Sequence, residues 1–452
     1  MGWKRRESRA EGTLPGVAMC AVFSTLTSLI LSTSAVAQVA QYTPPGGAAD
    51  EALGRRKALE KAVDDARWHA GPVRLDPAFW ISDLSFVDSP KGSANVAGDE
   101  RSDLTGRAGA GLRAYLPVGA KSTFAAYALP EYVWWKNRVD ERRVNQRFGL
   151  GSFTFFNRLS ISLTAERKED FNYATGEVLT RYTSRKDELT AEIEVPILRR
   201  LSLYARGSDL TTESLAHDRN LDEFFAGLDR EDRSYRGGVR YSPNERVHIG
   251  AGVGHTESDF ADGVRDRSNA GDLWYTELGY ERPKLGVELL YERNDLTGDS
   301  GSEFTGFDGS TGNARIEWRP RETFSARVYG SRKLAYAILE SDSPAYIDES
   351  FGAGFDVALG WRLKLYVFGQ TGTLSYLSTA GIPGGGGAAE ADTESYGVDL
   401  AIELVRKANL RIGYHERRIS AGSGESGGGL RDQKVSEVLA SIGIGIGQGT
   451  FY

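Results

Sequence analysis

The chain has 452 residues, with 55 Lys+Arg against 62 Asp+Glu and a formal net charge of −7. That balance argues against a nucleic-acid partner, which needs a basic face, and 19 Phe, 20 Tyr and 8 Trp are too many for a disordered chain. The 54 glycines follow no collagen period. A mean hydropathy of −0.38 rules out a helical membrane protein and leaves a β-barrel open.

In chain order, residues 1–37 read as a signal peptide. Lys4, Arg5, Arg6 and Arg9 form a basic start, Val17 to Leu31 an apolar stretch, and Ala35-Val36-Ala37 a small-residue cleavage site. Cys20, the one cysteine, lies inside that stretch. The exported chain would hold none, so disulfide and thiolate–metal chemistry are not expected. Residues 38–77 read as a linker followed by an amphipathic helix. The segment Gln38–Gly46 carries Pro and Gly, and the spacing of Leu59, Val63 and Ala66 among charged residues predicts a helix over Ala48–His69, ended by Gly71-Pro72.

From about Phe79 the helical period gives way to a period of two. Val247, Ile249, Ala251 and Val253 alternate with His248, Gly250, Gly252 and Gly254; Phe324, Ala326 and Val328 alternate with Ser325, Arg327 and Tyr329. These runs span roughly 10–15 residues, against ~5–6 for an ordinary globular strand, and suit tilted strands crossing a bilayer. Eight connections are tight, such as Pro117-Val118-Gly119, Asn157-Arg158 and Pro243-Asn244, and nine are longer and polar, such as Asp209–Glu231. The expected fold is therefore all-β. Residues 78–452 form a closed antiparallel transmembrane β-barrel of 18 strands, or 16 if the weakest candidates such as Phe79–Val87 are not strands, preceded by a short periplasmic helix. A β-propeller has a similar repeat length, but no Trp is followed by Asp and each repeat holds two long strands instead of four short ones.

Every tight turn carries or adjoins a base: Lys121, Arg158, Arg199, Arg246, Lys284, Arg321, Arg362 and Lys407. Basic turns facing phospholipid and acidic loops facing outward would set the orientation. Trp80, Trp134, Trp135, Tyr241, Trp274, Tyr280, Trp318 and Trp361 fall near strand ends, where interfacial girdles belong. The inward phase assigns a lumen lined by Arg113, Glu192, Glu194, Tyr204, Arg206, Arg236, Arg240, Glu288, Arg315, Arg327, Tyr329, Lys364, Tyr366, Asp399 and Arg411. Both charge signs occur, which suits neutral or weakly charged hydrophilic cargo, although pairing between neighbouring strands would give the same composition. Inward glycines at Gly109/Gly111, Gly250/Gly252/Gly254 and Gly352/Gly354 are expected to widen the lumen.

Enzymatic motifs fail. The run Gly384–Gly387 has no following Lys-Ser/Thr, so it is not a phosphate loop. His255 and Ser258 point to opposite faces of their strand and cannot form a nucleophile pair. No catalytic residue, metal or cofactor is expected.

The chain resembles the Gram-negative outer-membrane β-barrels, and more narrowly the porin-type barrels found beside exopolysaccharide loci. The closing residues Gly447 and Tyr452, preceded by Val438, Ala440, Ile442, Ile444 and Ile446 in one phase, carry the general resemblance as an assembly signal; Thr450 departs from it. The narrower match rests on general pattern, including Gly71-Pro72-Val73-Arg74-Leu75. The resemblance implies an outer-membrane location, with outer-membrane lipids, lipopolysaccharide and the barrel-assembly machinery as partners. It also implies a pore, with export of exopolysaccharide beside a periplasmic export protein as the first expectation. A general or sugar-uptake porin, or a non-conducting structural or surface-display barrel, is the alternative.

Overall fold

The computed structural model describes residues 59–88, 103–137, 139, 142–173, 175–179, 181–215, 225–244, 246–261, 266–338, 343–377, 390–405, 408–421 and 432–446. The expected signal peptide, most of the linker, the Gly384–Gly387 run and the assembly residues Gly447 and Tyr452 lie outside them.

Residues 59–64 are helical, and the amide of Asp65 donates to the Lys61 carbonyl at 2.8 Å. The predicted helix does not continue to His69. Trp68–Ala70 is instead a short strand, β1, paired with β2 (Val73–Asp88). Gly71, at φ 64°, makes the turn between them. A left-handed φ is open to glycine at no steric cost, so the residue expected to stop a helix turns a hairpin.

The strands that follow are β3 (Asp103–Val118), β4 (Ser122–Ala128), β5 (Glu131–Trp135), β6 (Arg143–Asn145), β7 (Arg147–Phe156), β8 (Leu159–Tyr173), β9 (Arg181–Leu198), β10 (Leu201–Ser214), β11 (Arg230–Asn244) and β12 (Val247–Phe260). Then come β13 (Asn269–Arg282), β14 (Leu285–Gly298), β15 (Phe307–Arg321), β16 (Phe324–Tyr336), β17 (Ala345–Ala358), β18 (Leu363–Tyr376), β19 (Glu390–Val405), β20 (Ala408–Ala421) and β21 (Gln433–Ile446). All belong to one antiparallel sheet in which most sequence neighbours pair, while β3 pairs with both β4 and β5 and β4 pairs with β7. The first long strand also pairs with the last, with Phe79 opposite Ile446 and Phe86 opposite Val438.

The sheet has 21 segments, not the 18 strands read from the sequence. One extra segment is β1. The other two come from breaks within a traverse: β4 and β5 lie end to end along β3, interrupted at Leu129-Pro130, and β6 and β7 are interrupted at Gln146. Proline has no N–H to give a ladder, so Pro130 breaks the pairing there. Pro196, Pro243 and Pro320 similarly sit at or next to register shifts beside tight turns. Counting each interrupted traverse once and setting β1 aside leaves 18 traverses.

The two faces differ in chemistry. One carries large exposed hydrophobics, among them Leu150, Ile193, Val253, Ile316 and Phe351; the other carries buried charge. Val253 is 67% exposed and Asp399 is 1% exposed, the reverse of a soluble protein. Tyr241, Trp274 and Trp318 lie exposed on the apolar face, and Trp361 lies exposed in the turn between β17 and β18. Trp80 and Trp135 are corrections: both are buried on the polar, inner face. Register shifts in β2 between Ile81 and Ser85, in its pairing with β21, and between Ser82 and Ser85, in its pairing with β3, invert the phase, so the outward residue changes parity from Phe79 to Phe86.

Candidate functional site

The inner face of β9–β20 is a lattice of Arg–carboxylate contacts, built because alternate residues of neighbouring strands meet there. Arg240 donates through Nε to Glu277 Oε1 at 2.9 Å and lies 3.6 Å from Glu194 Oε2. Arg236 pairs with Glu292 two strands beyond its immediate neighbour. Arg315 meets Glu317 at 2.8 Å, Arg327 meets Asp356 at 2.6 Å, and Asp399 receives Arg411 at 2.6 Å and His415 at 2.9 Å. Arg113, on β3, is bound to Asp76 of β2 at 2.9 Å.

The candidates from Glu192 to Arg411 share this face by strand alternation, and Arg113 lies on β3 opposite Asp76. Glu192 is buried, Glu288 lies opposite Arg315 in the register, and among the described residues Arg206 and Lys364 make no ion pair. The tyrosines are where the expectation changes. The Arg240 guanidinium lies 4.7 Å from the Tyr204 ring centre and that of Arg411 lies 5.8 Å from the Tyr366 ring centre, so these faces are covered by cations. Tyr329 is buried against Gly352.

The glycines do not widen the inner space. A methyl added to Gly109 would overlap the Trp80 ring, one added to Gly252 the Tyr275 ring, and one added to Gly352 the Tyr329 ring. These three glycines accept a ring from the adjacent strand, whereas Gly250 meets the Glu277 side chain and Gly111 the backbone of Ala128 and Leu129. The room left by one missing side chain is filled by its neighbour.

Sequence reasoning missed the residues at the long-loop end. Residues 175–179, between β8 and β9, reach over to β17, β18, β20 and β21. The Gly176 amide donates to Tyr346 Oη at 2.8 Å, Gln433 Nε2 donates to the Glu177 carbonyl at 2.9 Å, and the Leu179 amide donates to Gln433 Oε1 at 3.0 Å. The Glu177 carboxylate, fully buried, accepts from Tyr376 Oη and the Ile338 amide. Arg267 is also buried, with its guanidinium on the carbonyls of Gly227 and Ala337, so it ties the β10–β11 and β16–β17 connections together. Leu179, Tyr346, Leu374, Tyr376 and Ile419 complete an apolar layer under these contacts. Partners lie 161–256 residues apart in the chain, so no local pattern announces them. On the apolar face, His255 meets Asp272 at 2.8 Å, while Ser258 Oγ donates to Asp232 at 2.7 Å. The two do not meet.

No family model matches the chain and no curated protein matches it. Among solved structures it is similar to outer-membrane proteins. Pseudomonas aeruginosa OccK9 (OpdG) shares 12% identity at a TM-score of 0.48, with 85% of this chain and 99% of that one covered. The outer membrane protein OpdK of the same organism shares 10% at 0.49, covering 82% and 98%. Acinetobacter baumannii OccAB3 shares 8% at 0.49, covering 82% and 99%.

Proposed function

We propose that the chain is an outer-membrane β-barrel channel for small hydrophilic solutes, working in uptake. The carrying observation is an inside-out sheet whose first and last long strands pair. In hydrocarbon every backbone N–H and C=O must be paired, which a sheet achieves by closing. Eighteen traverses of this length are those of a barrel with an aqueous channel. The apolar face then meets lipid, and the paired charges face a lumen lined by Glu194, Arg206, Arg236, Arg240, Lys364, Asp399 and Arg411. Cations at the tight-turn ends lie over rings, Lys121 at 5.4 Å from Phe156 and Arg362 at 3.7 Å from Trp361. That arrangement suits an interface with phospholipid on the periplasmic side. Lipopolysaccharide against the acidic loops, and recognition of Gly447 and Tyr452 by the barrel-assembly machinery, belong to the same proposal.

Uptake of small solutes is favoured over export of a polysaccharide because each motive for export weakens. The Tyr204 and Tyr366 faces are covered by guanidinium groups, and Gly109, Gly252 and Gly352 are filled by rings. Residues 175–179, with Glu177, Val178 and Leu179 buried, reach from the β8–β9 connection to β17, β18 and β21 across the space a polymer would need. A balanced wall selects weakly between ions. The test is planar-bilayer conductance and liposome swelling with the refolded full chain and a size series of sugars. Discrete openings with mono- and disaccharides admitted and long oligosaccharides refused are expected. Absence of any conductance would favour a structural barrel, and free passage of polymer would restore export.

A further inference from the structure

We propose that the segment from Leu59 to Arg67 is a resident plug that narrows the tight-turn mouth of the lumen and must leave its seat for full conductance. This rests on the channel reading above. The helical residues 59–64 do not project from the sheet. Leu59 and Ala66 are buried, and with Ala62 and Val63 they pack on Trp80, Tyr115, Tyr127 and Phe153. Those four rings come from β2, β3, β4 and β7 and all lie on the inner face. Tyr115 and Phe153 fall within three residues of the tight turns that end β3 and β7. The face expected to dock an external partner is therefore docked on the chain's own wall.

The seat is shaped for this occupant. In β9–β20 the inner face carries arginines and carboxylates, with rings under guanidinium groups, whereas here an apolar floor meets the small and aliphatic side of a helix. Glu60, Lys61, Asp64 and Asp65, on the other side, are exposed. Arg67 anchors the end: its Nε lies 3.8 Å from Asp76 Oδ1, its guanidinium donates to the Pro77 carbonyl at 3.5 Å, and Asp76 is shared with Arg113 at 2.9 Å. Arg67 is partly exposed, so this anchor is weak and screened. A helix with its side chains is ~10–12 Å across, large enough to obstruct the channel of a barrel this size. The contact is modest in area: two fully buried and two partly buried side chains. A segment held by so few buried side chains can be displaced without unfolding the barrel.

The experiment compares single-channel conductance of the refolded full chain with two variants. L59D plus A66D places carboxylates on the apolar floor and should raise mean conductance about twofold or more, because a freed mouth passes more current. In the second, Ala62→Cys and Ala125→Cys are joined by a cleavable bismaleimide, possible because the sole native cysteine is Cys20. The joined protein should stay in the low-conductance state and regain the native level after cleavage. Heat-modifiable gel migration of each variant confirms that the barrel is formed. Equal conductance in native, L59D/A66D and cross-linked forms would overturn the plug while leaving the channel standing. Absence of conductance in every form, including the displaced one, would overturn both.

Discussion

Two sectors of the same sheet use their inner faces differently. From β9 to β20 the inner face carries arginines and carboxylates, many of them paired across nearby strands, with Tyr204, Tyr329 and Tyr366 among them. From β2 to β7 they include Trp80, Tyr115, Tyr127 and Phe153, and the chain's own helix lies on them. Both sectors obey the same alternation, and both keep apolar residues such as Phe79, Leu150, Ile193 and Val328 on the outside. The period of two thus decides which face a residue takes, and says nothing of what the inner face will meet. Paired wall charges occupy one sector; a folded-back segment covers the other.

The contrast is most sharply broken at Asp399. Its side chain is 2% exposed and receives both Arg411 and His415. D399N should leave Arg411 without its carboxylate and cost about 3 kcal/mol, the scale for breaking a buried pair, read as a lowered urea midpoint in detergent. Next in size is G109V, which drives a side chain into Trp80 and should cost about 2 kcal/mol by overpacking; W80A in the same chain should restore part of it. R236A plus R240A leaves Glu194, Glu277 and Glu292 without those partners and should shift reversal potential toward cations, about threefold in permeability ratio. The matching change in the other sector, Y127F, should leave selectivity unmoved. The smallest effects belong to exposed contacts. D272N, facing His255 on the outer face, should change stability by no more than about 0.5 kcal/mol.

One pH effect can be assigned outside the spanning strands. The Ser268 hydroxyl and amide hold the Asp266 carboxyl below its ordinary range. A lowered carboxyl pKa stabilises the folded form above the unfolded value, and that contribution is lost as pH falls through the folded one. Protease access to the loop before β13 should therefore rise as pH drops below about 4, and D266N should abolish that dependence.

Much of the fold was legible because a spanning strand must alternate and must be long. Val247–Phe260 and Phe324–Tyr336 are strands where the alternation placed them. The errors have local causes. Leu129-Pro130 splits a traverse, the register shift after Ile81 moves Trp80 inward, and Gly71 turns a hairpin where a helix end was read. Of the candidate site, the face of Arg240, Asp399 or Arg411 could be read from parity, but not its partner, which depends on strand stagger. Glu177 and Arg267 were illegible because their contacts join distant connections and no strand period governs them. Gly109, Gly252 and Gly352 were read as space because a missing side chain is visible in sequence and the ring that fills its place, on another strand, is not.

The inside-out barrel is tested most directly by cysteine scanning across one strand. Cysteines placed singly at Glu192, Ile193, Glu194 and Val195 in the full chain carrying C20S, reconstituted in liposomes, can be probed with a water-soluble maleimide and with a lipid-borne nitroxide quencher of an attached fluorophore. Labelling from water at 192 and 194, with quenching from lipid at 193 and 195, is the expected result. Water labelling at all four positions, or quenching at 192 and 194, would contradict a closed barrel with a charged lumen.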